Sequence, residues 1–173
     1  MRVQVVPHDS TWIVQFEAEA AQIADALAEN AVSIHHVGST AIPGMHAKPV
    51  IDLLVEVHDI AQVDEKNSAM EALGYKAMGE FGLPGRRYFH KANSAGVGTH
   101  HVHAFEADSG EVARHLAFRD YLIAHPEDAK EYGELKSRLA RDHPDDIEAY
   151  MDGKDPFIKD MEAKALEWSA FRE

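Results

Sequence analysis

Cysteine is absent from the 173-residue chain, which excludes a disulfide framework, a thiolate zinc site, an iron–sulfur cluster and a thiol nucleophile together. Any metal ion must be held by His, Asp or Glu. Long apolar runs are missing too: no window approaches the ~18 uninterrupted apolar residues of a membrane helix, and Met1-Arg2-Val3-Gln4 opens no signal-peptide core. The expectation is a cytoplasmic protein with no membrane partner. Positive charge is scarce, with 17 Lys and Arg against 30 Asp and Glu and a formal charge of −13. Such a surface repels a polyphosphate backbone and argues against bulk nucleic acid as a partner, while leaving room for a small anion in a locally basic pocket. What is present is the composition of a folded domain, 45% hydrophobic and 27% charged, long enough for one core and read as a single domain over 1–173. Twelve histidines are several more than such a chain usually carries, and their clustering is informative.

Periodicity assigns the elements. Apolar residues Ile13, Phe16, Ala20, Ile23 and Leu27 step by three and four, predicting a helix capped at Asp9 or Ser10 and running to about Asn30. Residues 32–37 read as a strand. Residues 50–57, apolar on both faces, read as a central strand of a covered sheet. Ile60, Val63, Met70 and Leu73 mark a second helix ended by Gly74, and 75–78 a short strand. Residues 86–91 and 99–106 alternate as a hairpin around a long tip. From about 109 onward the chain reads as helical: one helix capped by Ser109, one opened by Pro126 with Ala129, Tyr132, Leu135 and Leu139 on a stripe, and one started at Asp155-Pro156 with Phe157, Met161, Ala165 and Trp168 inward. The fold class is α+β, mixed strands and helices followed by a helical C-terminal part.

Three segments carry chemistry. In HHVGSTAIPG, residues 35–44, a strand ends in Gly38-Ser39-Thr40, presenting amide N–H groups and hydroxyls suited to a phosphate; a helix-capping turn reads the same way. Lys48-Pro49-Val50-Ile51-Asp52 sets a cation beside a strand and then a carboxylate into an apolar run. A buried Asp must meet a cation, a metal or hydrogen-bond donors, and an ion pair with Lys48 is one solution. In Thr99-His100-His101-Val102-His103, the side chains of His101 and His103 share a strand face about 6.6 Å apart, close enough to converge on one metal or phosphate, or to bond structurally. His36 shares a face with Val32 and Ile34 and is expected to enter the interior near the Gly-Ser turn. Arg86, Tyr88 and His90 occupy one face of the partner strand and Arg87, Phe89 and Lys91 the other, with a register the sequence leaves open.

A Gly-Ser turn followed by an Asp on the next strand resembles the signature of the DNA polymerase beta-like nucleotidyltransferase superfamily. Over nearly its full length the chain resembles the GrpB family, through VVPHDSTW at 5–12, HVGSTAIPGMHAKPVIDLLVEV at 36–57, GLPGRRYF at 82–89, THHVHAFE at 99–106, HLAFRDYL at 115–122, the Lys136-bearing helix and AYMDGKDPFI at 149–158. The resemblance implies a nucleotidyltransferase-like fold with a mixed sheet flanked by helices. It also implies a link to nucleotide or coenzyme metabolism, since some relatives are fused to dephospho-CoA kinase; no kinase phosphate loop occurs in this chain. In the superfamily the Gly-Ser turn holds a nucleotide's phosphates, and acidic residues on the following strands hold two divalent ions. Here the second carboxylate position is Leu54, and Glu56 lies about 13 Å from Asp52 along the strand, too far to replace it. A later strand offers His101 and His103 where the superfamily places an acid, favouring Zn, Ni, Mn or Fe over Mg.

The expectation is a nucleotidyltransferase-like enzyme acting on a nucleotide or other small phosphate ester. Gly38, Ser39 and Thr40 cradle phosphate, Lys48, Arg86 and Arg87 neutralise it, and Asp52, His101 and His103, with His36, hold one divalent metal. A mononuclear metal-dependent hydrolase and a catalytically degenerate nucleotide- or partner-binding module are the alternatives.

Overall fold

Pro49 breaks the chain just before the run Val50 to Val57, and the strand that the run forms holds five buried apolar residues and two half-buried acids. In the computed structural model, which describes residues 3–172, this strand is β2 (Ile51–Val57). It lies in a five-stranded sheet of order β1-β2-β5-β4-β3, with β1 at Ala31–Val37, β3 at Lys76–Ala77, β4 at Arg87–Ala92 and β5 at Gly98–Glu106. β2 pairs parallel with β5 and antiparallel with β1, and β4 is antiparallel to both β5 and β3. The sheet is therefore mixed. The interior of β2 and β5 is closed to solvent: Leu53, Leu54, Val55, Val102 and Ala104 are fully buried, as strands covered on both sides require.

The helices are α1 (Trp12–Leu27), α2 (Ile60–Asp64), α3 (Asn67–Ala72), α4 (Gly110–Ala124), α5 (Pro126–Asp142) and α6 (Ile147–Arg172). The chain divides into two compact units. One comprises residues 10–38 and 50–112, with the sheet and α1 to α3; the other comprises 1–9, 39–49 and 113–173, with most of α4 and all of α5 and α6. In the helical unit, Ile42, Met45, Tyr121, Leu122, Tyr132, Met161 and Ala165 form a core, with Phe157 and Trp168 packed against it.

The structure corrects several sequence expectations for the helices: the one read over Ile60 to Leu73 is two, α2 and α3. The buried stripe of α1 is Trp12, Glu19, Ile23 and Leu27, whereas Ile13 is 56% exposed. The helix starts at Trp12, with Thr11 at the cap position, so Trp12 takes the inward place and Ile13, one residue on, rotates about 100° outward. The helix also ends at Leu27, a 3-10 turn completing the segment to Asn30. The last helix begins at Ile147 rather than at Asp155. The Asp146 carboxylate accepts from the Ala149 amide at 3.1 Å, capping it earlier, and Pro156 sits inside. Proline fixes a helical φ and removes one hydrogen bond without having to end the helix.

Candidate functional site

The site is written into the strand register. Asp52 on β2 is opposite His101 on β5, Leu54 opposite His103, and across β5 the neighbours are His90 and Tyr88. Asp52, His101, His103, His90 and Tyr88 therefore share one face. Asp52 Oδ1 is 3.5 Å from His101 Nδ1 and 3.4 Å from His103 Nε2, with 28%, 30% and 17% of the three side chains exposed. The rings of His90 and His101 are 5.4 Å apart and those of Tyr88 and His103 5.3 Å apart. Arg86 closes one side: its guanidinium lies 5.0 Å from the Tyr88 ring centroid, and Nη1 is 3.5 Å from His103 Nδ1. Nη2 and Nε donate to the carbonyls of Phe81 and Glu80 at 2.8 and 3.2 Å, which fix the guanidinium in place.

Electrostatics separate the roles. Burial alone would raise the Asp52 pKa, but the hydrogen bonds and charges of His101 and His103 outweigh it and hold the carboxyl well below its usual range. It is ionised at any ordinary pH. Burial, followed by electrostatic repulsion from the His101 and Lys76 side, pushes His90 below its usual value and favours a neutral imidazole. Burial and the Asp52 charge push the Tyr88 phenol up, so it stays a donor. Directly beside the carboxylate the chain turns at Gly38, with φ of +74°; a Cβ there would lie 2.5 Å from Asp52 Oδ2. The backbone of residue 38 thus sits against the acid.

Of the residues expected at the site, Asp52, His101, His103, Gly38 and Arg86 come together. Arg87 does not: it points to the other face and pairs bidentately with Asp64, at 2.7 and 3.2 Å. His36 does not either. It is opposite Leu53 in the register, on the face away from Asp52, and stacks on Phe16 with ring centroids 4.8 Å apart. Alternation along β1 sends its side chain to the helix-covered side. Ser39, Thr40 and Lys48 belong to the helical unit. There Ser39 starts a 3-10 turn whose carbonyl accepts from Ile42 at 3.2 Å, and Lys48 lies 5.7 Å from the Tyr150 ring centroid. Leu54 is fully buried and Glu56 is bonded to His35, so neither supplies a second acid beside Asp52. Among the described residues, no group of three or more His, Cys, Asp or Glu is arranged to hold a metal ion. A cavity of about 710 Å³ in the helical unit is lined by apolar residues such as Ile42, Met45 and Leu122 and by polar His46, Lys130, Glu134 and Arg141, and includes none of the residues of the Asp52 face.

Sequence reasoning placed Tyr88 and His90 on a common face but could not choose their register. It missed a second polar group, Lys136, Tyr150 and Lys154, whose sign was a Lys at a position inside the α5 stripe.

The model of the GrpB protein family matches residues 2–164. The chain belongs to the GrpB family. A crystal structure of conserved protein GrpB from Enterococcus faecalis superposes with a TM-score of 0.92 at 46% identity, covering 96% of this chain and 99% of that one. The UPF0157 protein YqkA of Bacillus subtilis is 44% identical over 99% of this chain and 49% of its own length. A Mycolicibacterium paratuberculosis protein named dephospho-CoA kinase is 29% identical over 96% of this chain and 47% of its own length. The chain thus spans about half the length of these two curated relatives. Among the described residues of this GrpB chain, no helix is long and apolar enough to cross a membrane.

Proposed function

We propose that the chain acts on a nucleotide or another small phosphate ester at the Asp52, His101 and His103 face, as a nucleotidyltransferase-like enzyme. The observation that carries this reading is the Asp52 carboxylate, ionised between two imidazoles and seated against the Gly38 backbone. A carboxylate that accepts from one ring nitrogen leaves the other with its lone pair. His101 faces Asp52 through Nδ1, so its Nε2 is the general base toward an attacking hydroxyl or water. Arg86 brings a fixed positive charge to the developing charge of a phosphoryl group, and Tyr88 donates a hydrogen bond beside it. The name of the mycobacterial relative, a kinase of a nucleotide-containing coenzyme, supports the substrate class.

A divalent cation is the cofactor proposed for the same residues. The 3.4 and 3.5 Å separations bring the Asp52 carboxylate close to both imidazoles. With the side chains as they stand the three do not form a complete ligand set, so no step is routed through an ion. Asp52, His101 and His103 are the groups that would hold one, in place of the hydrogen bonds to Asp52 and of the base role of His101 described above, and it would polarise a phosphoryl oxygen.

The test is turnover of nucleoside triphosphates and simple phosphate esters by the full chain with Mg, Mn or Zn present, together with metal analysis of the purified protein. Asp52→Asn and His101→Gln are expected to lower turnover by about 100-fold or more. Nucleotide binding without turnover under any of these ions would favour a degenerate binding module, the reading that the buried Leu54 at the second acid position supports. Unchanged turnover in both variants would sink the assignment of this face.

A further inference from the structure

α5 and α6 gather a second polar group, in the helical unit. Lys136 stands one turn after Tyr132 on α5, Lys154 one turn after Tyr150 on α6, and Lys48 follows the bridge between Val6 and Ala47. The Lys136 ammonium is 4.4 Å from the Tyr132 ring centroid, and those of Lys154 and Lys48 are 4.9 and 5.7 Å from the Tyr150 centroid. Lys136 is 2% exposed and Tyr150 0%. Among the described residues, both the Lys136 Nζ and the Tyr150 hydroxyl are buried with no hydrogen-bond partner.

Such a group is costly to leave alone. A buried amine or hydroxyl without a partner forfeits its hydration, and a buried ammonium forfeits more. A structural lysine would meet one of the 30 acidic residues of the chain, yet the charges that act on Lys136 are those of Lys154 and Lys48, both positive. Burial first, and then these neighbours, push Lys136 down to about 7. Burial pushes Tyr150 up to about 12, keeping its proton for donation. As an ammonium Lys136 only donates, and the Tyr150 hydroxyl keeps a proton to donate beside it. The partner that the Lys136 Nζ and the Tyr150 hydroxyl lack must therefore be an anionic acceptor that offers an oxygen to each, which suits a phosphoryl group with several oxygens.

We propose that Lys48, Lys136, Lys154 and the Tyr150 hydroxyl form a binding site for a phosphoryl group, either of free phosphate or pyrophosphate or of a nucleotide. The site stands apart from the catalytic reading, because its residues belong to the other unit and its test needs no turnover.

Isothermal titration and thermal unfolding of the full chain, with inorganic phosphate, pyrophosphate, ATP and adenosine, test it. The phosphate-bearing probes are expected to bind and raise Tm and adenosine to do neither. Comparable affinity for pyrophosphate and ATP identifies the free anion as sufficient, while tighter binding of ATP identifies the nucleotide as the source. Lys136→Met should lower affinity for the phosphate-bearing probes by about tenfold or more, with Tm in their absence equal or higher, since methionine needs no partner. Lys154→Met should weaken binding likewise and decides the matter if the first variant folds poorly. Absence of binding by every phosphate-bearing probe, or unchanged affinity in a folded Lys154→Met, overturns the proposal.

Discussion

Residue 38 shows how one missing side chain sets the site. Its φ of +74° costs any L residue about 1–2 kcal/mol, and the space where a Cβ would stand is taken by the Asp52 carboxylate, 2.5 Å from Oδ2 and 3.1 Å from Cγ. Gly44 has the same φ with nothing within 4 Å, and so separates backbone strain from contact. Gly44→Ala is expected to cost about 1 kcal/mol, and Gly38→Ala about 2 kcal/mol or more, because the carboxylate must also turn away from His101 and His103. Urea unfolding measures both. The imidazole resonances of His101 and His103 should move in Gly38→Ala and stay in Gly44→Ala; equal costs with unmoved resonances would mean that the contact with Asp52 carries no energy.

At the scale of elements, α5 and α6 meet at a glycine. A Cβ on Gly153 would lie 2.5 and 3.0 Å from the two methyl groups of Leu139 and 3.3 Å from its Cγ, and Leu139 is itself buried at 8% exposed. Alanine gains about 1 kcal/mol of helix propensity over glycine, but overpacking a core contact costs about 1–3 kcal/mol. Gly153→Ala is therefore expected to lower Tm, and Gly153→Ala combined with Leu139→Ala to recover part of the loss of the first substitution, read as a coupling in a double-mutant cycle. Elements with strong periodicity were legible beforehand: β2 from its continuous apolar run, α5 from its stripe and Pro126, and the hairpin of β4 and β5 from alternation. Ends set by one side-chain bond were not. Asp146 caps α6 through a single acceptor, while the sequence pattern pointed to the later start at Asp155-Pro156. The candidate site was half legible for the same reason. Alternation placed His101 and His103 on one face, but joining them to Asp52, His90 and Tyr88, and sending His36 and Arg87 to the other side, depended on pairing between strands distant in sequence.

For the whole molecule, pH changes stability from two directions. Asp52 has a carboxyl held below its usual range in the fold, so the unfolded chain binds its proton more readily. The stabilisation is present above about pH 4 and is lost as pH falls through the folded value. Lys136 works at the other end. Its amine is pushed down to about 7 when folded and returns to about 10.4 when unfolded, so between these values the unfolded state again binds more protons and stability rises with pH, by up to ~1.4 kcal/mol per unit. The surplus of carboxylates, 30 against 17 Lys and Arg, acts the other way as pH rises, since self-repulsion grows when other groups lose protons. The wild-type curve alone therefore mixes opposing slopes. Subtracting it from the curve of Lys136→Met removes the terms common to both. The advantage of the Met variant should be largest below pH 7 and shrink steadily toward pH 10, measured by urea unfolding in buffers free of phosphate. A difference that stays flat from about pH 6 to about pH 9 would place the Lys136 amine in contact with a compensating group, and the buried cation would then have no influence on the pH optimum of stability.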